Sequence, residues 1–235
     1  MKKLLIALLF TPLIVLANTG AQLDRWPGSV GDKAALQNGA KYFVNYCLNC
    51  HGASYMRYNK LMELGLTEQQ VKDNLMFTAE KIGEPMRVAA RPEEQKKWFG
   101  AAPPDLSVIA RARASAEGSG ADWLYTYLRS FYRDEKRPTG WNNKVFENVG
   151  MPHVLIELQG IQVLDEHHKL QMVLPGKQTT EEFDKSVSDL VGFLVWMAEP
   201  QQEFRQRLGI GVLIFLALLF VVAYALKKEY WKDVH

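Results

Sequence analysis

Cys47 and Cys50 are the only cysteines among 235 residues, and His51 directly follows the second, in the stretch YCLNCHG at 46–52. Residues i, i+3 and i+4 share one side of a helical turn, so this spacing turns two thiols and an imidazole the same way. Three chemistries use such a group. A structural zinc site takes four ligands, usually as two spaced pairs, and the chain has no second cysteine pair. A redox-active Cys-x-x-Cys needs a βαβ setting, whereas Leu36, Ala40, Phe43, Val44 and Cys47 recur at helical spacing just upstream. The remaining chemistry is attachment of haem c, whose signature is Cys-x-x-Cys-His. Cys47 and Cys50 would form thioethers with the two vinyl groups, and His51 would reach the iron from the same edge. One covalently bound haem c consumes both thiols, which accounts for the cysteine count.

The two ends set the compartment. In MKKLLIALLFTPLIVLANTGA, Lys2 and Lys3 precede an apolar run from Leu4 to about Ala17, interrupted by Pro12. Short flanks and small residues at the end of the run read as a secretory signal over residues 1–17, cleaved after Ala17. Its removal takes the formal charge from +2 to neutral, so nucleic-acid binding has no electrostatic support. Leu208–Leu226 carries no charge at all and, at about 1.5 Å per residue, spans roughly 28 Å, close to the hydrocarbon thickness of a bilayer. Arg205 and Arg207 flank it on one side, Lys227, Lys228 and Lys232 on the other, with Tyr224, Tyr230 and Trp231 suited to the interface. The alternative, a buried core helix, lacks any polar face. With the N-terminus exported, residues 18–207 form a periplasmic haem domain, 208–226 a transmembrane helix and 227–235 a cytoplasmic tail.

Between the anchors the pattern is mostly helical. A first helix is expected over 32–48, one or two short helical stretches over 54–77 broken near Gly65, and a surface excursion rich in Pro, Gly and charge over 83–104. ADWLYTYLRSFY places Trp123, Tyr127 and Phe131 on one helical stripe. VLIEL, IQVL and KLQMVL, between 154 and 174, suggest a small β hairpin. Thr179 and Glu182 form a capping box before a last helix with Phe183, Val187, Leu190, Val191, Leu194 and Met197 on its buried stripe. Gly39 and Gly192 would let the first and last helices cross closely. The fold class is mainly α: a class I cytochrome c-like haem domain with long loop insertions, a small β hairpin and one C-terminal transmembrane helix.

An electron-carrying haem iron needs a sixth ligand, and a thioether there raises the reduction potential relative to a second imidazole. The candidates are Met56, Met62, Met76, Met86, Met151, Met172 and Met197, with His153, His167 and His168. Met151 stands apart, between Gly150 and Pro152 in a turn-like stretch far along the chain from the haem motif. Met197 falls on a helix stripe, Met62 and Met76 suit packing, and Met56 is too close to His51 to reach the opposite face. Met86 and His153 remain alternatives. His167–His168, between acidic residues, reads as a solvated turn.

CLNCH, PPDLSVIARAR, GADWLYTYL, VGMP and FLVWMAEPQQEFRQRLG, in that order before a C-terminal span, resemble the cytochrome c1 family in its bacterial form, with a small insertion after RAR. The resemblance covers most of the mature chain. It implies His51 and Met151 as metal ligands, Pro103 and Pro104 against the haem on the His51 side, and Arg113 paired with a haem propionate. It also implies Trp123 and Leu128 as pocket walls, with Arg111 on a solvated face. VFENVGMPHV departs from the family by lacking an aromatic-Pro-Gly stretch before Met151 and further prolines after Pro152.

What the resemblance implies about activity is electron transfer rather than catalysis by the isolated chain. A subunit of ubiquinol–cytochrome c reductase would accept an electron from the Rieske iron–sulfur protein and pass it to a cytochrome c. Its partners would be cytochrome b and the membrane, in a dimeric multi-subunit complex of the bacterial inner membrane. The alternatives are a free-standing anchored cytochrome c serving a terminal oxidase, and a haem enzyme or gas sensor with an open iron site. Intact-mass measurement of the mature chain should give an N-terminus at Asn18 and one tetrapyrrole adduct. A mass without the adduct would remove the cofactor and every role built on it.

Overall fold

The computed structural model of the protein describes residues 22–88 and 90–233. The expected signal segment lies outside the described residues. Asp32 caps the first helix, α1 (Lys33–Tyr42), by accepting from the Ala35 N–H at 3.1 Å. The chain then widens into a π-helical turn, Phe43–Cys47, closed by Leu48 N–H donating to Phe43 O at 3.0 Å. So the expected helix over 32–48 is present but changes pitch where the cysteines begin. β1 (Ala53–Arg57) follows, then a 3-10 helix, Tyr58–Leu64, ended by Gly65 at φ 92°, where only glycine sits without strain. α2 (Glu68–Asn74) starts on a Thr67–Gln70 capping box.

The excursion over 83–104 is not wholly at the surface. β2 (Pro85–Met86) pairs antiparallel with β1 and buries Met86 completely, and α3 (Pro92–Phe99) buries Gln95. A charge-rich composition hid these two inward contacts because each rests on a single side chain. α4 (Ile109–Ala112) is one turn long. α5 (Gly120–Arg129) stops one turn earlier than its aromatic stripe predicts: Phe131 belongs to β3 (Phe131–Arg133), paired antiparallel with β4 (Trp141–Asn143). VLIEL is not a strand either, since residues 156–159 form the single helical turn α6 (Ile156–Gln159). The expected hairpin is formed by β5 (Gly160–Leu164) and β6 (Leu170–Pro175), with exposed His167 and His168 in its turn.

The last soluble helix, α7 (Thr180–Ala198), begins on the predicted Thr179–Glu182 capping box and runs through the core. Its crossing with α1 organises the domain. A Cβ added at Gly39 would lie 2.1 Å from the Asp189 carbonyl oxygen, so only hydrogen fits between the two backbones. Phe43 and Phe193 extend the contact, their ring centroids 5.4 Å apart. Gly192 is near the same seam, where a Cβ would meet Leu36 and Trp26 at 3.4 Å. Trp26 Nε1 donates to Ser188 O at 3.0 Å, fastening the N-terminal segment to α7.

The final helix, α8 (Gln202–Tyr230), begins after a break at Glu199–Gln201 and has no buried residue. It is the one described helix long and apolar enough to cross a membrane, and its exposure excludes the buried-core alternative.

Gly39→Ala should destabilise the folded domain by about 1–3 kcal/mol, the usual range for overpacking, because the methyl meets backbone rather than a yielding side chain. Thermal unfolding followed by circular dichroism checks this. An unchanged Tm would mean that α1 and α7 do not approach as described.

Candidate haem site

The site is assembled from two groups of residues held by different forces. The first is the turn after the π-helical segment. Cys50 N–H and His51 N–H both donate to Cys47 O, at 3.1 and 2.9 Å, which folds the three side-chain-bearing positions into one turn. Cys47 and Cys50 are free thiols, each half-buried. Burial, with the neighbouring Cys50 adding to it, pushes the Cys47 thiol up to about 12.

Residues 103–107 brace that turn. His51 Nδ1 lies 2.7 Å from Pro104 O, and donation to that carbonyl leaves Nε2 with the ring's free lone pair. Burial draws the His51 pKa below its ordinary value, against the Pro104 carbonyl and Asp105, so the imidazole is held neutral, the form that ligates. Leu106 N–H donates to Gly52 O at 2.8 Å. Asp105 accepts from Ser54 N–H and Ser107 N–H, both at 2.8 Å, while Ser107 Oγ accepts from Tyr55 N–H at 3.0 Å. Burial alone would raise the Asp105 carboxyl, but these serine hydrogen bonds outweigh it and keep the group below the usual carboxylate range. Gln95, reaching in from α3, donates to Cys50 O at 2.8 Å. Asp105, Ser107 and Gln95 brace this turn, and sequence reading missed all three. PPDLS was read for its prolines, and nothing in the sequence tied Gln95 to position 50.

The second group is aromatic. Met151 is half-buried, and its Sδ accepts from the Tyr127 hydroxyl at 3.4 Å. Tyr127 stacks on Trp123 at 4.7 Å, and the Arg113 guanidinium lies 4.4 Å above the Trp123 ring. Burial raises the Tyr127 phenol well above its ordinary value, so it stays an O–H donor. Arg113 makes no ion pair among the described residues; Arg111 is exposed, as expected of a solvated face, and meets Glu199 there at 2.9 Å. Leu128 is buried in the core beside Tyr127. Pro103 is half-buried and Pro104 exposed, so it is the Pro104 carbonyl that touches His51.

The other sixth-ligand candidates are accounted for by packing or exposure. Met56, Met86 and Met197 are closed inside the core, and Met62 and Met172 are exposed. Met76 packs half-buried against the core. His153 is buried, stacked on Phe131 at 5.1 Å and edge-on to Trp141 at 5.1 Å, and burial pulls its pKa down to about 4.

No hydrogen bond or ring contact joins the two groups among the described residues; Cys47, Trp123 and Met151 all border one hydrophobic core. The donor chemistry fits haem c. Two unpaired thiols sit one turn from an imidazole whose remote nitrogen is free, and a thioether stands beside Gly150, where an added Cβ would meet nothing within 4 Å. It does not fit zinc, because no group of three or more His, Cys, Asp and Glu converges among the described residues.

The sequence profile described as the Cytochrome C1 family matches residues 26–234. Cytochrome c1 of Allochromatium vinosum is 44% identical over the full length of both chains. A protein named ammonia monooxygenase gamma subunit, from Nitrosomonas europaea, is 48% identical across all of this chain and 98% of its own. The cytochrome b/c1 protein of Bradyrhizobium diazoefficiens is 30% identical over 87% of this chain and 34% of its own greater length. With a profile match across nearly the whole chain and a two-group donor set suited to haem c, the chain belongs to the cytochrome c1 family, the membrane-anchored c-type cytochromes that carry electrons in the bc1 complex beside cytochrome b.

Proposed function

We propose that this chain takes single electrons from the Rieske iron–sulfur protein and passes them to a cytochrome c, as the haem subunit of a ubiquinol–cytochrome c reductase in a bacterial inner membrane. The observation that carries the reading is the engaged Nδ1 of His51 beside two unpaired thiols, in a chain that matches the family over residues 26–234.

Bound haem supplies a ferric–ferrous couple that exchanges one electron. The polypeptide's share is to hold and tune. Cys47 and Cys50 attach by thioethers. His51 would ligate through Nε2, its ring orientation fixed and its basicity raised by the hydrogen bond to Pro104 O. Met151 would offer the iron a soft sulfur, which favours the reduced state over what a second imidazole would give. Arg113, with no carboxylate partner among the described residues, would pair with a haem propionate, for which a guanidinium is suited. Trp123, Leu128 and Pro103 wall the pocket and limit water. Residues 18–207 face the periplasm after removal of 1–17, Leu208–Leu226 spans the membrane and 227–235 lies in the cytoplasm. The exposed helix α8, uncharged from Leu208 to Leu226, supports the membrane span. The joined name of the Bradyrhizobium relative supports pairing with cytochrome b. The assembly is a dimer of multi-subunit units.

A second reading comes from the Nitrosomonas relative: a haem subunit that works with an ammonia-oxidising enzyme. Purifying the tagged full chain from membranes separates the two. Co-purification of a b-type haem and an iron–sulfur protein supports the reductase, an oxygenase subunit in their place supports the second reading, and a chain that purifies alone favours the free-standing carrier. Within the purified complex, Met151→Leu should abolish the long-wavelength sulfur–iron absorption band and let carbon monoxide bind the ferrous iron. A spectrum unchanged by that substitution would assign the sixth position to another residue.

A further inference from the structure

Tyr127 is absent from the expected site residues, yet its hydroxyl donates to Met151 Sδ at 3.4 Å. The phenol is clamped from both sides. Its ring stacks on Trp123 at 4.7 Å with 13° between planes, and meets Phe131 edge-on at 5.1 Å and 69°. Both clamps are themselves held. Arg113 lies over Trp123 at 4.4 Å, and Phe131, fixed in β3, stacks on His153 at 5.1 Å. Among the described residues the hydroxyl has no acceptor other than the thioether.

A thioether sulfur carries two lone pairs. Coordination to iron uses one and leaves the other able to accept a hydrogen bond. We propose that Tyr127 is a positioning residue for the axial thioether, its O–H holding the second lone pair of Met151 and setting how strongly the sulfur donates to iron. The proposal rests on Met151 being the sixth ligand. A hydrogen bond draws electron density from the sulfur and makes it a poorer donor. Ferric iron, with the higher charge, loses more from a poorer donor than ferrous iron does. The Tyr127 hydroxyl therefore shifts the couple towards the reduced form, independently of any effect on packing.

The test uses the full chain in its purified membrane complex and the substitution Tyr127→Phe, which keeps the ring and its stacking. Haem content and the long-wavelength sulfur–iron band should remain, while the ferrous-to-ferric ratio at a fixed applied potential falls roughly two- to tenfold, the range expected for one neutral hydrogen bond. An unchanged ratio with the band retained overturns the proposal and leaves Met151 as ligand. Loss of haem from Tyr127→Phe also overturns it, because a role confined to the sulfur leaves attachment at Cys47 and Cys50 untouched. The parallel substitution Met151→Leu tests the ligand itself: if the band survives there, the ligand assignment fails and the proposal falls with it.

Discussion

Backbone meets backbone where α1 crosses α7, and the turn that carries Cys47, Cys50 and His51 depends on that contact. Gly39 leaves room only for a hydrogen against the Asp189 carbonyl, so the two helix axes approach more closely than any pair of side chains would allow. Close approach lets Leu36 and Ala40 of α1, Phe43 of the π-helical turn that continues it, and Leu190, Val191 and Phe193 of α7 bury almost completely. At roughly 1.5–3 kcal/mol for each large side chain removed from water, this seam is a principal source of stability in the domain. Polar groups flank it without breaking it: Asn38 donates to the buried Asp189 carboxylate at 2.7 Å, and Lys185 reaches the same oxygen at 2.9 Å. Because the π-helical turn carrying Cys47 continues directly from α1, the crossing fixes where both thiols and His51 can be.

The opposite halves of the site are rigid for different reasons. On the His51 side, residues 50–55 and 104–107 are laced by short hydrogen bonds to main-chain groups, with Gln95 adding one from outside. On the Met151 side there is a stack of rings, Trp123, Tyr127 and Phe131, holding one hydroxyl against the sulfur. Hydrogen bonds fix direction and suit an imidazole that must present one nitrogen. Ring packing fixes position and suits a thioether, which accepts approach over a wide angle. A carrier that changes only its charge needs ligand geometry that stays the same in both oxidation states, and with His51 and Met151 as the proposed ligands, rigidity on both sides would supply it.

The parts of this architecture legible in the sequence are those in which local chemistry agrees with the fold. The capping box at Thr179–Glu182, the break at Gly65, the helical stripe ahead of Cys47 and the uncharged run after Arg207 each follow from a short-range rule and each recurs in the structure. The expectations that did not hold, at Phe131 and at Val154–Leu158, sit where helix and strand periodicities run into each other over four or five residues. There tertiary pairing decides: β4 recruits Phe131 into a strand, and the start of β5 at Gly160, held at φ 94°, leaves residues 156–159 only a single helical turn. Met151 could be singled out from its glycine and proline neighbours. Its contact with Tyr127 spans 24 positions and depends on α5 and the 150s loop docking on one core, which no local pattern encodes.

Where the haem domain meets the membrane helix, the chain gives up regular structure for three residues, and a single carboxylate bridges the gap. Glu199 accepts from Arg111 of α4 at 2.9 Å and from Arg205 in the first turn of α8. The hydrogen bond from Arg205 holds the Glu199 carboxyl below its usual range, which favours the charged form of the bridge. Both arginines are nevertheless well exposed, at 61% and 63% of the side chain, and pairs of that kind contribute about 0–1 kcal/mol and weaken with salt. Such a joint biases the angle between domain and helix without fixing it. A haem that must stay within electron-transfer distance of its donor needs a firmer constraint than this, and the bare apolar face of α8, buried against nothing in the isolated chain, is the surface on which neighbouring membrane helices of the complex would supply it.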